Sequence, residues 1–232
     1  MEIDINFNFY SDTPKGKDPD SYSPTLRSYH KILWSKELPN GSLFKLDDTI
    51  PMRLHHKSKL GEFVLSSDSI AHTYSEIKST TDIIKKIDSE ELEKFVSLCS
   101  TIGGYIIFPS ERINNQMTIN GARGVNKQIR DRFDLSLECI RRYYKRENSP
   151  LNETFERYKQ FFNLFDSFEG YVDFFLLQDL VTSDYSSIKY LIPFESFENY
   201  PLPNDIEEYK QYKYNLSNFV SARSQRIKSF NK

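Results

Sequence analysis

The sequence predicts an α+β fold: a mostly antiparallel sheet in the N-terminal half and a predominantly helical second half, in a single domain. Three observations carry this. Apolar and polar residues alternate at 3–10, the two-residue period of a half-buried strand, and 43–46 and 51–67 read as two or three strands. Residues 103–108, GYIIFP, form a short, fully apolar run. From 125 onward the apolar residues recur at helical spacing.

The elements follow in order. IDINFNFY at 3–10 sets Ile3, Ile5, Phe7 and Phe9 against Asp4, Asn6 and Asn8, predicting a strand. After a polar loop, Ser23-Pro24 predicts an N-cap with proline at the first helical position, opening a helix to about Ser35. Pro39-Asn40-Gly41 predicts a turn. Residues 43–46 and 51–67 predict two or three strands, with SKLG as a hairpin turn. LSSDS at 65–69 predicts a cap for a helical region over about 69–99. GYIIFP and MTIN at 117–120 predict a hairpin. Helices are expected at 125–146 and 171–181, a final strand at IKYLIPF (188–194), and a basic helix from about Asp205 to the end. No linker interrupts the chain, so 1–124 forms the strand-rich part and 125–232 the helix-rich part of one domain.

Composition narrows the function classes. The 232 residues are 38% hydrophobic and 15% aromatic, so 18 Phe and 15 Tyr supply much of the core. A net charge of −2 excludes a globally basic nucleic-acid binder and leaves only local phosphate affinity. Cys99 and Cys139 lie in apolar helical patterns without metal spacing and read as buried hydrophobes. MEIDINFNFY is acidic and alternating, unlike a secretory leader. The longest apolar run, FFLLQDLV at 174–181, is too short to span a bilayer. The expectation is a cytoplasmic protein.

Several polar residues fall where a plain core would not place them. Arg132 sits between Leu135, Cys139 and Tyr143 on the flank of an apolar helical stripe, and needs a carboxylate, a carbonyl or a bound anion. On the other face Arg130, Asp134, Glu138 and Arg141 read as a solvated, ion-paired surface. Asp173 sits among Leu176, Leu177 and Leu180, so it is expected to be buried, paired with Arg132 or Arg123 or held protonated as a general acid or base. TINGARG at 118–124 reads as a strand end, a glycine turn and a helix start, with Asn120 and Arg123 at an anion-binding corner. Lys15 and Lys17 stand in a polar loop that lacks calcium-loop spacing. His30 lies on the apolar face of its helix, as a satisfied core residue or a catalyst; His55, His56 and His72 complete the set. No zinc, nucleophile-elbow, dinucleotide or kinase signature is present, and no cofactor is implied.

The stretches SDTPKGKDPDSYSPTLRSYHKILWSKELPNG, GEFVLSSDSI, MTINGARG, DRFDLSLECIRRYY and GYVDFFLLQDLV resemble an uncharacterised bacterial family, a domain of unknown function. The resemblance spans nearly the whole chain and implies a bacterial, cytoplasmic protein. It implies no activity.

The functional expectation is an enzyme or effector acting on a phosphate-bearing ligand, a nucleotide or RNA. Lys15, Lys17, Asn120, Arg123 and Arg132 would bind the ligand; His30 and Asp173 would move protons. The alternatives are a non-enzymatic protein-binding or assembly module and nucleic-acid binding by the C-terminal helix, where Lys210, Lys213, Arg223, Arg226, Lys228 and Lys232 interleave with tyrosines.

Overall fold

A computed structural model describes residues 2–230. Its architecture is α+β, with a small antiparallel sheet wrapped by helices.

The chain begins without a strand. Residues 3–8 turn at Ile5 and Asn6, where Phe7 N donates to Asp4 O (3.2 Å), and a 3-10 turn follows at Phe9–Ser11. The expected alternation is present, with Ile3, Ile5 and Phe9 buried. No ladder forms, because the amides find other acceptors. Asp4 N donates to Tyr29 Oη (3.0 Å), Asn6 N to Asp4 Oδ1 (2.9 Å) and Phe9 N to Ser100 O (3.1 Å).

Helix α1 is the single turn Pro19–Tyr22, capped by Asp18. Helix α2, Pro24–Trp34, has Pro24 in its first turn and Ser23 as N-cap, accepting from Leu26 N at 3.0 Å. Its buried residues Leu26, Tyr29, His30, Leu33 and Trp34 fall on one stripe. Strands β1 (Lys36–Glu37) and β2 (Leu43–Phe44) pair across the expected turn.

Strands β3 (Leu54–Ser58) and β4 (Gly61–Ser69) form the predicted hairpin, with Ser58 opposite Gly61. Gly61 has φ +145°, open to glycine alone at low cost. LSSDS thus belongs to β4 and caps no helix. The helical region over 69–99 divides into α3 (Lys78–Ile84) and α4 (Ser89–Cys99), the latter capped by Asp88. Strand β5, Tyr105–Pro109, pairs antiparallel with β4, Ser69 opposite Tyr105. The sheet order is β3-β4-β5, so β4 is central.

The GYIIFP–MTIN hairpin is absent. MTIN enters α5, Ile119–Val125, whose N-cap Thr118 accepts from Gly121 N at 3.2 Å. The glycines misled the sequence reading: neither Gly121 nor Gly124 has positive φ. Helix α6 begins only at Phe133 and runs to Lys145. Short helices α7 (Asn152–Arg157), α8 (Lys159–Phe162) and α9 (Phe168–Phe174) follow. The 171–181 helix stops early because Leu176 takes φ +56°. IKYLIPF makes one isolated bridge, Ile188 to Val181, rather than a strand.

Helix α10, Ile206–Phe230, lies against the 3-10 turn Ile102–Gly104. A Cβ on Gly103 would stand 2.4 Å from Val220 O and 2.3 Å from Ser224 Oγ, so the two backbones meet directly. Arg223 is fully buried there, with no carboxylate partner among the described residues. It donates to Phe175 O (3.0 and 3.2 Å), Gly103 O (3.0 Å) and Tyr105 O (2.7 Å). Burial lowers its pKa to about 9. The main apolar cluster draws on residues from Ile3 to Ile227. Cys99 and Cys139 are free and buried in it. Among the described residues no helix is long and apolar enough to cross a membrane.

Candidate functional site

Strand β4 gathers the polar side chains that the sequence scattered. Ser67 takes His30 and Asp20 from the α1–α2 unit, and the next residue, Asp68, takes Arg123 from α5. His30 and Arg123 therefore reach successive residues of β4, whose side chains alternate between the two faces of the sheet.

The first arm starts at Trp34. Its indole N–H donates to His30 Nδ1 at 2.9 Å. An indole only donates, so Nδ1 accepts and the imidazole proton sits on Nε2. Nε2 faces Ser67 Oγ at 3.0 Å, and Ser67 in turn donates to Asp20 Oδ1 at 3.1 Å. His30 is fully buried. Burial, aided by the charge of Arg223, lowers its pKa to about 3, which keeps it neutral. Its Nε2–H thus donates to Ser67, which donates onward to Asp20. Burial, aided by Asp18, pushes the Asp20 carboxyl up to about 7 against the pull of Ser67, the Ser69 amide and Arg123. Asp20 borders a cleft of about 10 Å³ with Arg27 and Arg53, room for one water.

The second arm is centred on Arg123, which has no exposed surface. Its guanidinium pairs with Asp68 and with Asp131 Oδ1 (2.9 Å), and its Nε donates to Ser136 Oγ (2.9 Å). It lies between the rings of Phe108 (5.5 Å) and Phe133 (5.6 Å). Asp131 Oδ2 reaches His72 Nε2 at 3.2 Å, ion-pair distance. His72 and Asp131 open on a cleft of about 360 Å³, lined also by Thr73, Tyr74, Ser75 and Arg130. Its size falls in the range of small-molecule sites.

The backbone of this cleft is strained. Tyr74 (φ +58°), Arg130 (φ +45°) and Asp131 (φ +61°) all occupy the left-handed region. Each costs about 1–2 kcal/mol, and such residues cluster at functional sites. Two buried tyrosines of α10 hold the opposite wall: Tyr212 donates to His72 O (2.8 Å) and Tyr209 to Thr73 O (3.0 Å). Arg130 has no hydrogen bond or ion pair to its side chain among the described residues, and its Nε is shielded from solvent.

The other expected residues fall elsewhere. Arg132 is buried, as its position implied, and fully engaged. It donates to both oxygens of Asp134 and to the carbonyls of Pro201 and Ile192. The face expected to be solvated is not: Asp134 and Glu138 are buried, Glu138 under Arg141 and Arg142. Residues 191–201 cover Asp134, and Leu191 N donates to its Oδ2 at 2.9 Å. Asp173 pairs with neither Arg132 nor Arg123. Helix α9 ends beside it and leaves it exposed, accepting from Gln178 Nε2 and Tyr185 Oη, both at 2.8 Å. Lys15 and Lys17 are exposed, Lys17 lying over the Tyr22 ring. Asn120 Nδ2 approaches Ser67 O at 3.4 Å, while its buried Oδ1 has no hydrogen-bond partner.

On α10 most cations are neutralised. Lys210, Lys213 and Arg226 pair with Glu207, Glu91 and Asp179. Lys232 lies outside the described residues. The sequence reading missed Asp20, Asp68, Arg130, Asp131 and His72 as site residues. Their one signal was membership of polar stretches near turns.

No curated protein and no solved structure matches the chain. The model of one family matches residues 3–227, almost the whole polar network included. The chain therefore belongs to the family of unknown function DUF6994.

Proposed function

We propose that the chain binds a phosphate-bearing ligand, a nucleotide or short RNA, in the His72–Asp131 cleft and acts on it by acid–base chemistry. The observation that supports this is one arrangement: an unpaired Arg130 beside a His–Asp pair, on strained backbone, in a cleft of ligand size. Arg130 offers a forked donor to phosphate oxygens. His72 is the group assigned to proton transfer, with Asp131 beside it at ion-pair distance. Arg123, held by Asp68 and Ser136, fixes Asp131 without touching the ligand. The Asp20–Ser67–His30 arm braces the same strand from the other side. The resemblance supports a bacterial, cytoplasmic setting. The assembly-module reading has less support, because exposed apolar side chains such as Leu43, Val125 and Tyr214 sit on separate elements.

A thermal-shift screen with nucleotides, sugar phosphates and short RNA tests the reading, with wild type beside Arg130→Ala and His72→Ala. Arg130→Ala is expected to keep its melting temperature and lose the ligand shift. His72→Ala is expected to bind and lose turnover. A ligand shift that survives in Arg130→Ala places the site elsewhere.

A further inference from the structure

A second cleft, sharing no lining residue with the first, holds an unusual lysine. Lys36 follows α2 directly, in β1. Its Nζ lies 5.1 Å from the Trp34 ring centre, 4.7 Å from Phe174 and 4.4 Å from Phe230. No hydrogen bond or ion pair to Nζ occurs among the described residues. The cleft it borders measures about 700 Å³, with Leu38, Pro39, Phe174 and Phe230 on its walls and Glu37, Glu169 and Asp173 at its polar positions.

A lysine ammonium is strongly hydrated and normally reaches water or a carboxylate. Here aromatic rings replace water, and the buried guanidinium of Arg223 adds like charge. Burial first and Arg223 second lower the amine to about 7, with Asp173 opposing them. An amine so placed is about half neutral at neutral pH. Its lone pair is then available beside a cavity of ligand size.

We propose that Lys36 is a nucleophilic amine that captures an aldehyde-bearing ligand in this cleft as a Schiff base. The nitrogen lone pair attacks the carbonyl carbon, and the C=O bond becomes a carbinolamine C–OH. Loss of that oxygen with the two amine protons releases one water as C=N forms. No oxidant or reductant is needed. Asp173, which lines the same cleft and whose charge acts on the amine, is the group we assign to pass the proton to the departing hydroxyl. The walls favour an apolar body, and the three carboxylates disfavour an anion. The ligand class is therefore an uncharged, apolar-bodied aldehyde, unlike the phosphate-bearing ligand of the His72 cleft.

The test uses the full chain, with benzaldehyde as probe and 2-carboxybenzaldehyde as its anionic counterpart. Adducts are trapped with cyanoborohydride and located by peptide mass mapping. The expected result is labelling at Lys36 about tenfold or more faster than at an exposed lysine such as Lys94. The rate is expected to rise through pH 7 and level off, with the carboxylated probe slower. Phe230→Ala, at an exposed position, opens the aromatic wall and is expected to move the pH midpoint upward. Uniform labelling of all lysines, no adduct at Lys36, or a rate still climbing above about pH 9 would overturn the proposal.

Discussion

Replacing Arg132 by methionine separates a structural arginine from a ligand-binding one. The methionine keeps the apolar stem and removes every donor. Asp134, with no exposed surface, then retains only the Leu191 amide, and the carbonyls of Ile192 and Pro201 lose their partner. Breaking a buried ion pair from one side costs about 3–5 kcal/mol. That is a large share of the roughly 5–15 kcal/mol that holds a domain folded. At about 2–4 °C per kcal/mol for a chain of this size, the melting temperature falls by roughly 6–20 °C. The assay is urea unfolding followed by fluorescence of Trp34, the single tryptophan and fully buried. The double variant Arg132→Met with Asp134→Leu removes both charges. It is expected to recover part of that loss, on the order of 1–3 kcal/mol, because the lone buried charge is gone while the Leu191 amide and the Ile192 and Pro201 carbonyls stay orphaned. A single variant within about 1 kcal/mol of wild type would refute the reasoning, and so would a double variant less stable than the single.

Two further outcomes follow from the packing. Asp20 has its carboxyl raised from 3.8 to about 7 by burial, so the folded state holds the proton more tightly than the unfolded state. Its stability contribution is complete below pH 3.8 and is lost as pH rises through 7. Asp20→Asn is thus expected to gain on wild type above pH 7, by on the order of 2–4 kcal/mol, and to lose that advantage near pH 4; parallel melting-temperature profiles from pH 4 to 9 would contradict this. Gly103→Ala places a methyl 2.4 Å from Val220 O and 2.3 Å from Ser224 Oγ. It is expected to push α10 off the Ile102–Gly104 turn at a cost of several kcal/mol, read as proteolytic cleavage at 206–230 under native conditions; unchanged protease resistance would contradict the close approach.

The legible elements were those whose signals are local. Ser23-Pro24 announced α2 because cap and proline chemistry act within one turn. SKLG announced the β3–β4 hairpin because a two-residue loop fixes its own register. The buried Arg132 was visible from its place on an apolar stripe, although its partner, Asp134, lies on the face expected to be solvated. What failed depended on remote partners. Alternation at 3–10 gave correct burial and the wrong element, because Tyr29 and Ser100 satisfy its amides. Of the residues singled out for a site, His30 and Asn120 reach Ser67 and Arg123 reaches Asp68, neighbours on β4 that no local signal could pair. His72 and Asp131 were not legible: their pairing depends on left-handed backbone at Arg130 and Asp131, which no glycine or asparagine announces. Asp173 misled because its apolar neighbours belong to separate turns.

Arg223 also sets an order on biosynthesis. Its acceptors, Gly103, Tyr105 and Phe175, leave the ribosome long before residue 223 does. Until it arrives, three carbonyls lack their guanidinium and the Gly103 backbone lacks its cover. The His72 and Thr73 carbonyls likewise wait for Tyr212 and Tyr209. A nascent chain emerging N-terminus first thus carries an uncovered Gly103 turn and an unsupported cleft until residues 209–223 follow, and their arrival completes both.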